Sequence, residues 1–132
     1  MKNLATVLLT ALCAVTVACG YSSKAAAPAQ AGAMPAITAL APDNTSAGGP
    51  AFILTVNGSS FSSTATINWN GAAQNTTHMT ANQLTATIPA SEIAAPATVP
   101  VTVTNPATPG MGMYGGGGTL AETSTPMNFT VK

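Results

Sequence analysis

The sequence carries very little charge. Its 132 residues include three lysines, three acidic residues and no arginine, so that charged residues make up 5% of the chain. A globular protein averages about 25%. Without a basic patch the chain cannot neutralise a phosphate backbone, which argues against a nucleic-acid partner, and it has no electrostatic attraction to anionic lipid. We expect a surface that is polar but neutral, built mainly from Thr, Ser and Asn.

The sequence also lacks the groups that catalysis and metal binding need. His78 is the only histidine, and we expect it at the surface, on a strand or its loop. No Gly-x-Ser-x-Gly segment is present to carry a nucleophile. The three carboxylates are too scattered along the chain to predict a calcium site. Met111 and Met113 together with His78 would be a sparse ligand set for copper(I). We therefore expect no enzyme activity, no cofactor and no metal.

Cysteine is nearly absent, and both cysteines lie close to the N-terminus. The apolar run from Leu4 to Ala18 has the length of a signal-peptide core and is short for a spanning helix. Cys13 lies inside this run. The small residues before Cys19 resemble a bacterial lipobox, although Thr16 stands where that motif prefers leucine. We predict a signal peptide over residues 1–18, cleaved before a lipidated Cys19, and a mature domain without disulfides.

Two alternatives for the leader stay open. One is ordinary cleavage near Ala18 or within residues 25–27, and the other is an N-terminal anchor that is retained in the membrane. The lipobox resemblance predicts an exported protein of the cell envelope, an outer-membrane or surface lipoprotein. Residues 19–34 are rich in Ala, Ser and Pro and have no periodic apolar face, which predicts a flexible tether.

From Pro35 onward, apolar and polar residues alternate in the manner of half-buried antiparallel strands. Turn signals at Gly48-Gly49-Pro50, Asn57-Gly58 and Asn70-Gly71 separate the runs. Asn105-Pro106 ends a strand, and Ser91 to Ala95 favours one helical turn. The pattern predicts an all-β sandwich or barrel with about seven strands. The residues expected to face the core are Ile37 and Leu40; Phe52, Leu54 and Val56; Ala65, Ile67 and Trp69; Leu84, Ala86 and Ile88; Val99, Val101 and Val103; and Met127, Phe129 and Val131.

Six segments from Pro35 to Lys132 resemble, in order and spacing, the segments of an IPT/TIG domain. Examples are Phe52-Ile-Leu-Thr-Val-Asn-Gly58 and Ala65-Thr-Ile-Asn-Trp-Asn-Gly71. The resemblance implies an immunoglobulin-like antiparallel β-sandwich over residues 35–132. It also implies a non-catalytic binding, spacer or dimerisation module, and it supplies no catalytic residues.

The last hairpin loop, residues 107–124, is longer than the resemblance predicts and rich in glycine. Met111, Met113, Tyr114 and Leu120 would suit contacts with a partner. Two interpretations stay open: a binding loop, or a tolerated insertion without structure. We predict a surface-tethered module that binds a protein or a glycan through this loop. The alternative is a spacer or self-assembling envelope component, a homo-oligomer that associates through strand edges.

Overall fold

A computed structural model describes residues 30–110 and 117–132 of the chain. No helix among these residues is long and apolar enough to cross a bilayer. The predictions that fall outside the described residues concern the signal peptide (1–18), Cys19, the tether as far as residue 29, and Met111, Met113 and Tyr114.

The described residues form two β-sheets with a shared core. In chain order the elements are β1 (Ala36–Ala41), β2 (Asn44–Thr45), β3 (Phe52–Ser59), β4 (Thr66–Trp69), β5 (Ala72–Ala73), β6 (Thr76–Thr80), β7 (Gln83–Ile88), a 3₁₀ helix (Ala90–Ile93), β8 (Ala97–Asn105), β9 (Glu122–Thr123) and β10 (Met127–Val131). The first sheet has the order β1-β3-β7-β6. The second has the order β2-β10-β8-β4-β5, and β9 pairs with the end of β8.

The predicted fold class is confirmed. Within the described residues seven strands have four residues or more, and the other three have two residues each. Strands β2 and β10 run parallel, whereas the remaining strand pairs are antiparallel. Two sheets of this kind, packed on one core, are an immunoglobulin-like sandwich.

The predicted inward residues form the core between the sheets. Ile67 is fully buried, and Trp69 is 1% exposed. Trp69 packs on Phe129, with ring centroids 4.9 Å apart, and Phe52 of the first sheet stacks on Phe129 at 5.5 Å. This aromatic cluster therefore joins the two sheets. Phe52 and Met127 stay only half-buried at the border of the core.

Alternation alone does not account for two details of the core. Ile37 and Leu40 are three positions apart and would face opposite ways in a regular strand, but a bulge between Ile37 and Ala39 brings both to the core. The helical turn predicted over 91–95 is present as the 3₁₀ helix, and its Ile93 is fully buried. An isolated isoleucine in a short turn has no period that would reveal its burial.

Two of the three predicted turns are confirmed and the third is wrong. Asn70 and Gly71 join β4 to β5 with φ of 50° and 83°, and Gly48 has φ of 71° in the loop before β3. Asn57-Gly58 lies inside β3 instead. A Cβ atom at Gly58 would collide with the Ala36 carbonyl oxygen and lie 2.5 Å from Cζ of Phe61. The glycine therefore makes room for neighbouring atoms and does not turn the chain.

Candidate functional site

The sandwich has two ends, and hydrogen bonds fix which segments share an end. The Asn105 side chain at the end of β8 donates to Ser60 O, just after β3, at 2.8 Å. At the other end Ala47 N–H donates to Lys132 O at 2.6 Å. We call the first end, formed by residues 30–36, 58–66, 79–83, 104–110 and 117–123, the loop end, and the other the opposite end.

The base of the predicted binding loop is a short hydrogen-bonded ladder. Thr108 and Thr119 exchange backbone hydrogen bonds of 3.0 and 3.1 Å, and their hydroxyls are 2.8 Å apart. Gln30 lies beside Thr119: its N–H donates to Gly118 O, and Leu120 N–H donates to Gln30 O, both at 2.9 Å. The chain entering the domain is therefore a third strand of the loop base.

This arrangement changes two boundaries drawn from the sequence. Residues 30–34, assigned to the end of the tether, already contact the domain through Gln30 and Ala33. The predicted loop 107–124 is shorter than expected, because Glu122 and Thr123 form β9 and Ser124 is buried. The Ser124 hydroxyl accepts Val103 N–H at 2.9 Å, which holds this segment against β8.

Asn105 is the buried polar centre of the loop end. Its amide nitrogen donates to Ala33 O and Ser60 O, both at 2.8 Å, and its Oδ1 accepts Ser62 N–H at 3.0 Å. The side chain is 6% exposed. The sequence predicted only that a strand ends at Asn105-Pro106. The signal for this further role was a polar residue at a position that continues the buried series of Val99, Val101 and Val103.

A cleft of about 260 Å³ opens between the entering chain, the loop after β3 and the loop base. Phe61, Pro106 and Leu120 supply apolar lining, and Gly32 forms part of the wall. A Cβ atom at Gly32 would lie 2.8 Å from Leu120 O, so the entering chain and the loop approach closely here. Leu120 is the one predicted binding-loop residue that the structure describes, and it is 52% exposed at this cleft.

The largest exposed apolar side chains are concentrated at the loop end. Among the described residues, Met34 is 61% exposed, Met79 56% and Leu120 52%, and all three belong to this end. Ile53, on β3, is 64% exposed and lies on the outer face of the first sheet.

The charged side chains have the reverse distribution. Asp43, Glu92 and Lys132 are exposed, and all three belong to the opposite end. Glu122, on β9, is the charged residue described at the loop end, and it is half-buried. In the part of the chain that the structure describes, no group of three or more His, Cys, Asp and Glu side chains could hold a metal ion.

His78 is less exposed than expected. The sequence predicted a surface residue, but His78 lies on β6 opposite the fully buried Leu84 and is itself half-buried. Its Nε2 atom is buried without a hydrogen-bond partner among the described residues. A bulge between His78 and Thr80 interrupts the alternation of β6 beside this residue, so the sequence pattern did not reveal its burial.

Comparison with known proteins identifies the domain. The IPT/TIG domain model matches residues 35–125. No curated protein and no solved structure matches the chain significantly. The fold continues past the matched residues, because β10 lies between β2 and β8 in the second sheet. The match covers more than half of the sequence and agrees with the observed sandwich, and the chain therefore belongs to the IPT/TIG domain family.

Proposed function

We propose that this protein is a non-catalytic interaction module, held at the cell surface through Cys19, that binds a protein or a glycan at its loop end. The observation that carries this proposal is the construction of the loop base. Gln30, Thr108 and Thr119 form one hydrogen-bonded unit, and Asn105 ties the entering chain to the loop after β3. A loop that leaves a fixed base presents its side chains with less loss of conformational entropy on binding.

The family supports the general part of this proposal. IPT/TIG domains are immunoglobulin-like modules that often take part in protein interactions. The cleft between the entering chain and the loop base, with Phe61 and Pro106 in its lining, supplies apolar contact area at the loop end. Apolar area surrounded by neutral polar groups is the composition expected for a contact surface without charge.

A shortened loop tests the site. Deleting residues 111–116 leaves Thr108 and Thr119 to pair, so the base should persist while the predicted contacts of Met111, Met113 and Tyr114 are lost. Ile53→Ser, at an exposed position on another face, is the matched control. In intact envelopes the wild-type protein should cross-link to its partners. We expect the deletion to abolish this cross-linking and I53S to leave it unchanged. An unchanged set of cross-linked partners would reject the loop as the binding site.

The anchor needs a test of its own. Mass spectrometry of the mature N-terminal peptide should find Cys19 as the first residue with attached acyl chains, and Cys19→Ser should move the protein out of the membrane fraction. A Cys19 that is retained and unmodified would refute lipidation.

Self-assembly through strand edges is the second candidate. It is favoured by the absence of charged residues in β1 and β6, the edge strands of the first sheet, since charge on an edge discourages pairing. Both strands contain a bulge, however, and a bulge interrupts the regular edge that a second copy would need. Light scattering after size exclusion decides the matter: a monomer at every concentration would reject assembly.

A further inference from the structure

We propose that the loop end faces the bilayer in which Cys19 is anchored and contacts its interfacial region through Met34, Met79 and Leu120. This inference rests on the proposed lipidation of Cys19. It adds an orientation for the domain and names the lipid interface as the surface that the exposed apolar side chains meet.

The chain enters the domain at the loop end. Gln30 is hydrogen-bonded to Gly118 and Leu120, so the entering chain is held at the loop end. Cys19 and Gln30 are 30 − 19 = 11 residues apart, and a chain of that length spans at most about 40 Å. The loop end is therefore the part of the domain that lies closest to the anchor along the chain.

Exposed apolar side chains are also concentrated at the loop end. Three of the four large ones among the described residues, Met34, Met79 and Leu120, belong to the loop end. They come from three separate segments: the entering chain, β6 and the loop base. Exposed apolar side chains at the end of the domain where the anchored chain enters suit the boundary between lipid headgroups and acyl chains.

Exposed charges among the described residues lie away from the loop end. Asp43, Glu92 and Lys132 are exposed at the opposite end, where they stay in water when the loop end rests on the bilayer. Glu122 is half-buried at the loop end, and no lysine is described there. The described part of the loop end therefore offers no lysine to attract anionic headgroups, and the contact of Met34, Met79 and Leu120 should depend little on lipid charge.

Because the domain is tethered, even a weak contact between the loop end and the bilayer is enough to orient it. A surface patch of three side chains would bind vesicles poorly if the domain were free in solution. A short linker raises the local concentration of the domain at the membrane to the millimolar range, on the order of what such a contact needs. A partner of the loop would then have to reach it at the membrane surface.

The experiment uses the lipidated full chain reconstituted into phosphatidylcholine vesicles. With Cys13 removed in the leader and Cys19 acylated, a newly introduced cysteine is the only free thiol and takes one environment-sensitive fluorophore. Labels at Met34→Cys and Leu120→Cys report on the loop end, and labels at Glu92→Cys and Lys132→Cys are the matched controls. β8 alone has nine residues, so at about 3.3 Å per residue the two ends are about 30 Å apart. Nitroxide-labelled lipid should therefore quench only the first pair.

Each other outcome overturns the proposal. Equal quenching at both ends, or quenching at Glu92→Cys and Lys132→Cys alone, gives the wrong orientation. Quenching that needs phosphatidylglycerol, or an added membrane protein, shows that the contact is not an apolar one with lipid. If the protein floats with vesicles but Leu120→Cys stays unquenched, the anchor stands and the orientation falls. If mass spectrometry finds no acyl chain on Cys19, both fall together.

A paired substitution tests which side chains make the contact. Met34→Ser with Leu120→Ser should reduce quenching of a label at Met79→Cys, whereas Ile53→Ser should leave it unchanged. Because all of these side chains are exposed, the fold should survive, and unchanged circular dichroism verifies that it does. Quenching that persists at Met79→Cys in the double variant would contradict the assigned contact.

Discussion

Replacing Asn105 with alanine should destabilise the domain by about 2–3 kcal/mol. The substitution removes three hydrogen bonds, two donated to Ala33 O and Ser60 O and one accepted from Ser62 N–H. Each is worth about 0.5–1.5 kcal/mol net, and the orphaned groups would add a penalty if they stayed buried. Ala33 and Ser60 are exposed, so water can reach their carbonyls and limit that penalty. The loss is a large fraction of a typical domain stability of about 5–15 kcal/mol.

Chemical denaturation measures this loss directly. Trp69 is the only tryptophan and is 1% exposed, so its fluorescence reports on the core. Asn128→Ala, at an exposed position on β10, is the matched control and should change stability by less than about 0.5 kcal/mol. Asn105→Asp keeps the oxygen that accepts Ser62 N–H, but it places a second carboxylate oxygen against the carbonyls of Ala33 and Ser60. At neutral pH it should therefore lose at least as much stability as N105A. If N105A loses no more stability than N128A, and its Ser62 amide exchanges hydrogen no faster than in the wild-type protein, Asn105 is not the centre of the loop end.

Three further substitutions test the packing that positions this end. Gly58→Ala should lower the free energy of unfolding by about 1–3 kcal/mol, because the new Cβ would collide with Ala36 O and Phe61. An unfolding midpoint equal to that of the wild-type protein would contradict this close approach of Gly58 to Ala36 and Phe61. Thr76→Val should cost about 1–3 kcal/mol of stability, because it removes the hydroxyl that accepts Ile67 N–H at 2.8 Å. Thr76→Ser should retain this hydrogen bond and most of the stability. An equal loss in both variants would exclude the hydrogen bond as the cause. Trp69→Ala should lower the free energy of unfolding by about 3–5 kcal/mol, measured by circular dichroism. A loss no larger than that of the exposed control N128A would show that the aromatic cluster does not join the sheets.

The sequence predicted the sandwich because strand alternation is a local property. Ile67 and Trp69 face the core since residues two apart share a face of any strand, whatever the neighbouring strands are. The Asn70-Gly71 turn was likewise predictable, since both residues tolerate the positive φ that the turn requires. Asn57-Gly58 offered the same local signal. It became part of a strand because only the tertiary structure brings Ala36 and Phe61 against the glycine.

The candidate site shows the same division more sharply. The sequence by itself determined a neutral, cysteine-poor domain with a long glycine-rich loop, and it predicted Leu120 as a contact residue. It could not pair Gln30 with Thr119, or Asn105 with Ala33 across 72 residues, because hydrogen bonds between distant segments leave no period in the chain. Among the described residues, only the tertiary structure placed three of the four large exposed apolar side chains at one end of the sandwich and the exposed Asp43, Glu92 and Lys132 at the other. That separation depends on the direction in which each strand runs, which the topology of the two sheets decides and the composition does not.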